Sequence, residues 1–107
     1  MSKGDYLGEF EMVVMLTLRH LGDDAYGMTI RLAIEERTGR AVSIGAVYTT
    51  LRRLQRKGYV SAELGEPSPS RGGRAKKHFR LQPAGAEALQ RSREMFARLW
   101  ADVPEPS

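Results

Sequence analysis

The sequence predicts a mainly α-helical domain that carries one small two-stranded antiparallel sheet and ends in a further helix. Three observations support this fold class. Three successive helix-forming segments are each closed by a glycine, at Gly22, Gly39 and Gly58. A loop rich in Gly, Pro and Ser, residues 65–73, separates two short segments with strand character. A last segment with an apolar stripe follows Pro83, and the 107 residues suffice for one compact core but not for two.

The first two helices precede a short turn. Residues 8–21 are rich in helix formers, and their apolar side chains wrap most of the circumference, so we expect this helix to be buried on more than one side. Gly22 ends it, and Asp23 or Asp24 can cap the second helix, which we place from about Ala25 to Thr38. The segment 38–42 then joins the second helix to the third.

The third helix has one buried face and one polar face. Ser43 is a good N-cap for it, and Val47, Leu51 and Leu54 repeat at the spacing of a single buried stripe. At 100° per residue, the residues opposite this stripe form an outer face. The outer face consists of Gly45, Thr49, Arg52 and Arg56, with Ala46 and Arg53 to one side and Tyr48 to the other.

Two strands and a fourth helix complete the chain. Residues 59–64 and 77–81 have strand character, and Pro83 is suited to the first turn of a helix that extends to about Asp102. Three helices, a hairpin and a fourth helix correspond to a winged helix-turn-helix, in which the second helix of the motif enters the major groove of DNA.

The charge is concentrated in one part of the chain. Residues 37–80 contain 11 Lys or Arg and only two acids, Glu63 and Glu66, although the whole chain has a net charge of only +4. A basic surface on a small domain is typical of a protein that binds phosphates. The alternative for the third helix is an ordinary solvated face, but this leaves unexplained why small residues stand in its first turn and why acids are absent.

We therefore predict that this helix and the hairpin contact DNA. Small residues allow close approach to a base edge, arginines supply charge, and a basic glycine-containing tip can enter a narrow minor groove. The predicted contacts are Ser43, Gly45, Ala46, Tyr48, Thr49, Arg52, Arg53 and Arg56 on the helix, Arg71, Gly73 and Arg74 at the hairpin tip, and Lys76 and Lys77 at the base of the return strand. For Tyr48, half-buried packing is the alternative, and for the tip it is a disordered loop.

The last helix carries a wide apolar stripe that predicts a homodimer. Its members are Leu89, Ser92, Met95, Phe96, Leu99, Trp100 and Val103. Either the stripe packs on the domain's own first helix, or it associates with a second copy, and we favour the second because so small a domain would scarcely cover Phe96 and Trp100. We accordingly divide the chain into a DNA-binding domain, residues 1–82, and a dimerisation helix with a frayed tail, residues 83–107.

Several classes of function are not expected. The chain has no cysteine and only two histidines, His20 and His78, so we expect no metal, no cofactor and no catalytic residue. No segment predicts a membrane span or a signal peptide, and we expect a cytoplasmic protein. The alternative to an operator-reading protein is a winged-helix module that binds RNA or a protein partner, and a small enzyme is a more distant one.

Segments spread over residues 6–100 resemble the PadR-like family of transcriptional regulators. They are Leu7-Gly-Glu-Phe-Glu11, Ala25-Tyr-Gly27, Ser43-Ile-Gly-Ala-Val-Tyr48, Leu51-Arg-Arg-Leu54, Lys57-Gly58, Gly72-Gly-Arg-Ala-Lys-Lys77, Phe79-Arg-Leu81, Ala84-Gly85 and Leu89. The chain departs from the pattern at Thr49, where many members have proline, and at Gln82-Pro83, which replaces the usual threonine cap of the last helix.

The resemblance implies a homodimeric repressor in which the C-terminal helix of each chain packs against the N-terminal helix of the other. The single short C-terminal helix is similar to that of the smaller subfamily. Some members bind phenolic acids, antibiotics or other planar compounds between subunits. By this resemblance Phe96 and Trp100 are the aromatic candidates for an effector site, with Met12, Met15 and Met95 as wall residues. The alternative, which we favour, is that all five belong to the dimer core.

Overall fold

The computed structural model describes residues 6–65 and 76–105. Its elements are helix α1 (Glu9–Leu21), a single 3-10 turn (Gly22–Asp24), α2 (Gly27–Thr38), α3 (Ile44–Arg56), strands β1 (Val60–Leu64) and β2 (Lys77–Leu81), and α4 (Pro83–Trp100). The predicted fold class, a mainly helical winged helix-turn-helix, is confirmed.

Helices α1, α2 and α3 pack around one apolar core. Val14 and Met15 of α1, Ile30 of α2, and Val47 and Leu51 of α3 are all fully inaccessible to solvent. The predicted stripe of α3 is thus the face that the domain buries. Close packing of this kind fixes the orientation of α3, because its opposite face is then determined by the helical repeat.

The two strands form an antiparallel hairpin that is joined to the helical core. Val60 pairs with Leu81 at one end of the ladder and Leu64 with Lys77 at the other. The Phe79 backbone N–H donates to the Ala25 carbonyl at 2.8 Å, and the Phe79 side chain is buried. The hairpin base is therefore anchored to the segment that precedes α2.

This anchoring explains where the prediction for α2 was wrong. Helix α2 begins at Gly27 rather than Ala25, and neither Asp23 nor Asp24 caps it, because these aspartates lie in the 3-10 turn. Instead, Thr29 Oγ1 accepts the Tyr26 N–H at 3.0 Å. The sequence alone did not indicate that Ala25 and Tyr26 are held extended beside β2.

Helix α4 is buried over its first half only. Gly85, Ala88, Leu89 and Ser92 face the domain, and a side chain at Gly85 would collide with the Tyr59 carbonyl oxygen. Beyond Ser92 the large apolar side chains of Phe96, Leu99, Trp100 and Val103 are 40–70% exposed in the single chain. The second half of α4 thus leaves an apolar surface uncovered.

Candidate nucleic-acid interface

Helix α3 is capped and oriented as its sequence predicts. The Ser43 side chain accepts the Ala46 N–H at 3.0 Å, which satisfies one of the free donors of the first turn. The other three free backbone N–H groups at the start of the helix form a partially positive end, where a phosphate oxygen is favoured. The first turn of α3 can therefore hold a phosphate as well as approach a base.

The outer face of α3 is open to solvent. Its exposed residues are Ser43, Gly45, Ala46, Thr49, Arg52, Arg53 and Arg56. Among residues 6–65 and 76–105, no carboxylate lies within ion-pair distance of the three arginines. The face therefore combines small residues at one end with uncompensated positive charge at the other, which suits a DNA groove lined by phosphates.

Tyr48 lies in the packing between elements rather than on this face. Its side chain is half-buried, and its ring meets that of Phe79 edge-on at a centroid distance of 6.2 Å. Its hydroxyl end covers Gly27, where a side chain would collide with it. Of the eight residues predicted on α3 for DNA contact, Tyr48 is thus the one that serves mainly to pack α3 against α2 and β2.

Lys57, at the C-terminal end of α3, is held by α1. Its Nζ donates to Glu11 Oε2 at 2.8 Å, and the Gly8 N–H donates to Glu11 Oε1 at 2.8 Å. Burial raises the pKa of the Glu11 carboxyl, but these hydrogen bonds and the positive charges of Lys57 and Arg53 outweigh burial and hold the pKa below its ordinary value. Glu11 is therefore a carboxylate at neutral pH.

The start of β2 brings two lysines beside aromatic rings. Lys76 Nζ lies 3.8 Å from the centroid of the Tyr26 ring, and the Tyr26 ring meets His78 edge-on at 5.7 Å. Lys77 is exposed, with its Nζ 5.9 Å from the Phe79 ring centroid. Arg71, Gly73 and Arg74, predicted at the hairpin tip, lie outside the described residues. Tyr26 was missed as a support for the hairpin, and its only signal was the Ala25-Tyr-Gly27 segment.

A groove of about 520 Å³ separates α1 from α4. Met12, Leu16, Leu89 and Phe96 supply apolar walls, and Arg19 and Arg93 add positive charge. Of the five residues predicted for an effector site, the structure brings Met12 and Phe96 together in this groove. Trp100 lies beyond it on the exposed end of α4.

Three of the predicted residues at the effector site and the dimer interface are buried in the single chain. Met15 is fully inaccessible because it points into the core beneath α1, so it cannot form a wall of the groove. Ser92 and Leu89, expected at a dimer interface, are 1% and 8% exposed because the first half of α4 packs on its own domain. The exposed stripe that remains comprises Phe96, Leu99, Trp100 and Val103, with Met95 at its edge.

Two other kinds of site are absent from the described ranges. Residues 6–65 and 76–105 contain no group of three or more His, Cys, Asp or Glu side chains that could hold a metal ion. No helix within these ranges is long and apolar enough to span a bilayer.

Comparison with known proteins gives the same family as the sequence motifs. The profile of the "Transcriptional regulator PadR-like family" matches residues 16–91. No curated protein matches the chain in sequence.

Solved structures with the same fold include regulators from several sources. A PadR-like transcription factor from Bacteroides fragilis is 27% identical, with a TM-score of 0.73 over 84% of this chain and 82% of that one. A PadR family transcription regulator from Clostridium difficile is 20% identical, with a TM-score of 0.71 over 86% and 91%. F93 from STIV, a winged-helix DNA-binding protein, is 17% identical, with a TM-score of 0.71 over 92% and 99%.

Proposed function

Because the chain belongs to the PadR-like family of transcriptional regulators, we propose that it is a homodimeric repressor that reads a pseudo-palindromic operator and is released by a planar aromatic effector. The family consists of DNA-binding regulators and not of enzymes. Since such a regulator acts where the DNA is, the proposal places the protein in the cytoplasm. The observation that carries operator recognition is the exposed, acid-free outer face of α3.

The residues on the outer face of α3 divide into those that can contact base edges and those that can bind the phosphates of DNA. Thr49 and Arg53 have side chains long enough to reach base edges, and arginine can donate two hydrogen bonds to a guanine. Arg52 and Arg56 stand toward the C-terminal end of α3, and Lys77 at the start of β2 is also exposed. Contacts of these cations with phosphates would supply affinity for any sequence.

The exposed half of α4 supports the homodimer. Leu99 and Trp100 are 64% and 70% exposed in the single chain, and an apolar surface of this kind is unfavourable in water. The groove beside it has apolar walls from Met12 and Leu16 of α1. A second copy that lays its α4 against this groove would cover both surfaces at once, and two-fold symmetry would make the contact reciprocal.

The same groove supports an effector site at the subunit interface. Its volume is within the range of pockets that bind small molecules, and Phe96 offers a ring on which a planar compound can stack. Trp100 would join this site only from the partner subunit, because in its own chain it lies beyond the groove. Release from DNA requires that the ligand prefer a subunit arrangement in which the two α3 helices no longer match successive major-groove turns.

Selection of bound sequences from random duplexes tests operator recognition. The expected product is a pseudo-palindrome with half-sites about one helical turn apart, as two-fold proteins require. A protein with alanine at both Thr49 and Arg53 is the control, and it should select a different or weaker consensus. Binding without any sequence preference, or stronger binding to single-stranded RNA, would reject operator recognition in favour of a general nucleic-acid module.

The fluorescence of Trp100, the only tryptophan, tests the effector site. Titration with planar phenolic compounds and cationic dyes should quench its emission and lower DNA affinity, and Phe96→Ala should weaken both effects. Unchanged emission throughout the series would indicate that the aromatic residues serve only the dimer core. Quenching that Phe96→Ala does not weaken would remove Phe96 from the site.

A further inference from the structure

Helix α1 carries one buried carboxylate, that of Glu11. Its side chain is 7% exposed, and its ion pair with Lys57 joins residues 46 positions apart in the chain. One oxygen accepts the Lys57 ammonium and the other accepts the Gly8 N–H, each at 2.8 Å. A buried ion pair adds little net stability compared with apolar residues, but it strongly favours the one geometry in which both charges are satisfied.

The geometry that this pair favours concerns the recognition helix. Lys57 is the C-cap residue of α3, and its own N–H bonds back to the Arg53 carbonyl at 3.1 Å. The ion pair therefore fixes the last turn of α3 against the first turn of α1. Because Val47, Leu51 and Leu54 secure the other side of α3 in the core, this contact limits both the tilt and the rotation of its outer face.

The Glu11–Lys57 ion pair also determines which basic side chains are available to bind DNA. The Lys57 side chain is 29% exposed and its charge is compensated by Glu11 at hydrogen-bond distance. Arg56, the residue before Lys57, and Arg52, one turn earlier, are exposed, and no carboxylate of the described residues pairs with them. Although Lys57 lies within the basic segment, it is directed toward α1.

We propose that Glu11 is a positioning residue for operator recognition, which holds the end of α3 at its reading angle and withholds Lys57 from phosphates. This inference rests on the operator recognition proposed above. Loss of the Glu11 charge has two consequences: α3 rocks at its C-terminal end, which weakens sequence reading, and Lys57 becomes available to the phosphates of any duplex. Specific and non-specific binding therefore change in opposite directions.

Glu11→Gln tests the proposal on a selected duplex and on a scrambled duplex of equal length. The preference for the selected duplex should fall by about tenfold, which is what one charge-assisted hydrogen bond is worth. For the scrambled duplex, affinity should rise, and the slope of log K against log salt should steepen by about two per dimer, one phosphate contact for each subunit. Glu9→Gln is the matched control for the preference, since Glu9 is an exposed carboxylate on the same helix and its partner Arg40 is not on α3.

Lys57→Gln provides the second arm. In the wild-type background it should leave the salt slope on the scrambled duplex unchanged, because Lys57 makes no phosphate contact there. In the Glu11→Gln background it should return the slope to the wild-type value. If Glu11→Gln does not fold, the salt slope of Lys57→Gln in the otherwise wild-type protein still tests the proposal.

Four results would overturn the inference. Lys57→Gln could flatten the slope of the otherwise wild-type protein as much as Arg52→Gln does, which would make Lys57 an ordinary phosphate contact. Glu11→Gln could weaken binding to both duplexes equally. This is expected if Glu11 only stabilises the fold, because its loss would lower the fraction of folded protein. Unchanged preference in Glu11→Gln, with clear preference in the wild type, would reject this inference and leave the proposed function intact. A wild-type protein with no preference would reject both.

Discussion

Gly45 is a residue at which folding and DNA contact make opposite demands. A glycine inside a helix costs about 0.5–1 kcal/mol relative to alanine, and Gly45 stands in the exposed first turn of α3. The nearest heavy atom to an added Cβ there would be Ser43 Oγ at 4.0 Å, so the domain has room for a side chain. The lack of a side chain at Gly45 is therefore explained by close approach to another molecule and not by packing within the domain.

Gly45→Ala should stabilise the protein and weaken its binding to DNA. We expect a gain of about 0.5 kcal/mol in the free energy of unfolding, because the substitution improves helix propensity at an open position. Affinity for the selected duplex should fall, since a methyl group would stand between the helix and the groove. Thermal unfolding and a DNA titration measure the two effects.

Gly85→Ala is the matched control for this change. At Gly85 an added Cβ would collide with the Tyr59 backbone carbonyl, so the substitution should cost about 1–3 kcal/mol of stability. The protein that remains folded should bind DNA normally. If Gly45→Ala gains stability without any loss of affinity, the first turn of α3 does not approach DNA closely.

The ion pair of Glu11 predicts a dependence of stability on pH. The pKa of Glu11 is lowered in the folded protein, so the unfolded state takes up a proton first as the pH falls. The stabilisation is thus fully present above the ordinary pKa of 4.5 and is lost as the pH falls through the lowered folded value. Urea unfolding at pH 7 should show Glu11→Gln to be less stable by about 1–3 kcal/mol.

The difference between the two proteins should narrow on acidification below pH 4.5. Glu9→Gln should show no such difference at any pH, because its partner Arg40 and its own carboxylate are exposed. A stability gap between Glu11→Gln and the wild type that stays constant from pH 7 down to acid unfolding would contradict an ionised, paired Glu11.

At the scale of elements, the sequence predicted what depends on local pattern and missed what depends on distant contacts. Ser43 as the cap of α3, the stripe of Val47, and Pro83 at the start of α4 all follow from residues within one or two turns. The contact of Glu11 with Lys57 joins two helices that are distant in sequence, and the hydrophobic periodicity of neither helix indicates it.

The candidate site divides in the same way. The exposed face of α3 follows from helical geometry alone, whereas Tyr48 is drawn into the packing by Phe79, which arrives 31 positions later from β2. Met15 was misplaced because α1 has apolar residues all round, and only the packing of α2 and α3 decides which of them are buried.

The recognition helix and the hairpin should contribute differently to DNA binding. Replacing Lys76 and Lys77 with alanine should weaken binding to all sequences about equally, because both lie where β2 begins, from which they would contact the backbone of DNA. Replacing Thr49 and Arg53 should instead change the preference among sequences. Titrations of each double variant with selected and scrambled duplexes make the comparison, and equal behaviour of the two variants would contradict the division.

At the scale of the whole molecule, the basic segment and the exposed apolar end of α4 occupy different parts of the chain. The basic residues are concentrated between positions 37 and 80, and the exposed stripe of Phe96, Leu99, Trp100 and Val103 lies at the end of α4. A dimer built through α4 would leave the α3 face of each subunit free. Two such faces can meet two half-sites about 34 Å apart on one side of a duplex, which a single chain cannot do.

Leu99→Asp should convert a dimer into a monomer. The wild-type protein should sediment as a dimer at micromolar concentration, and a charge at this exposed apolar position would oppose its burial against a second copy. Leu64→Asp is the control, because Leu64 is 72% exposed but lies on β1, away from α4. A wild-type monomer, or a Leu99→Asp protein that still dimerises, would place the interface elsewhere or remove it.

The central claim, that a basic face built on α3 binds DNA, is tested most directly by the salt dependence of affinity for the selected duplex. If each dimer neutralises several phosphates, a plot of log K against log salt should be linear with a slope of roughly −4 to −8. Arg52→Gln should reduce the slope by about two per dimer, one for each symmetry-related contact. An affinity that does not change between low and high salt, or a slope that Arg52→Gln leaves unaltered, would contradict the claim.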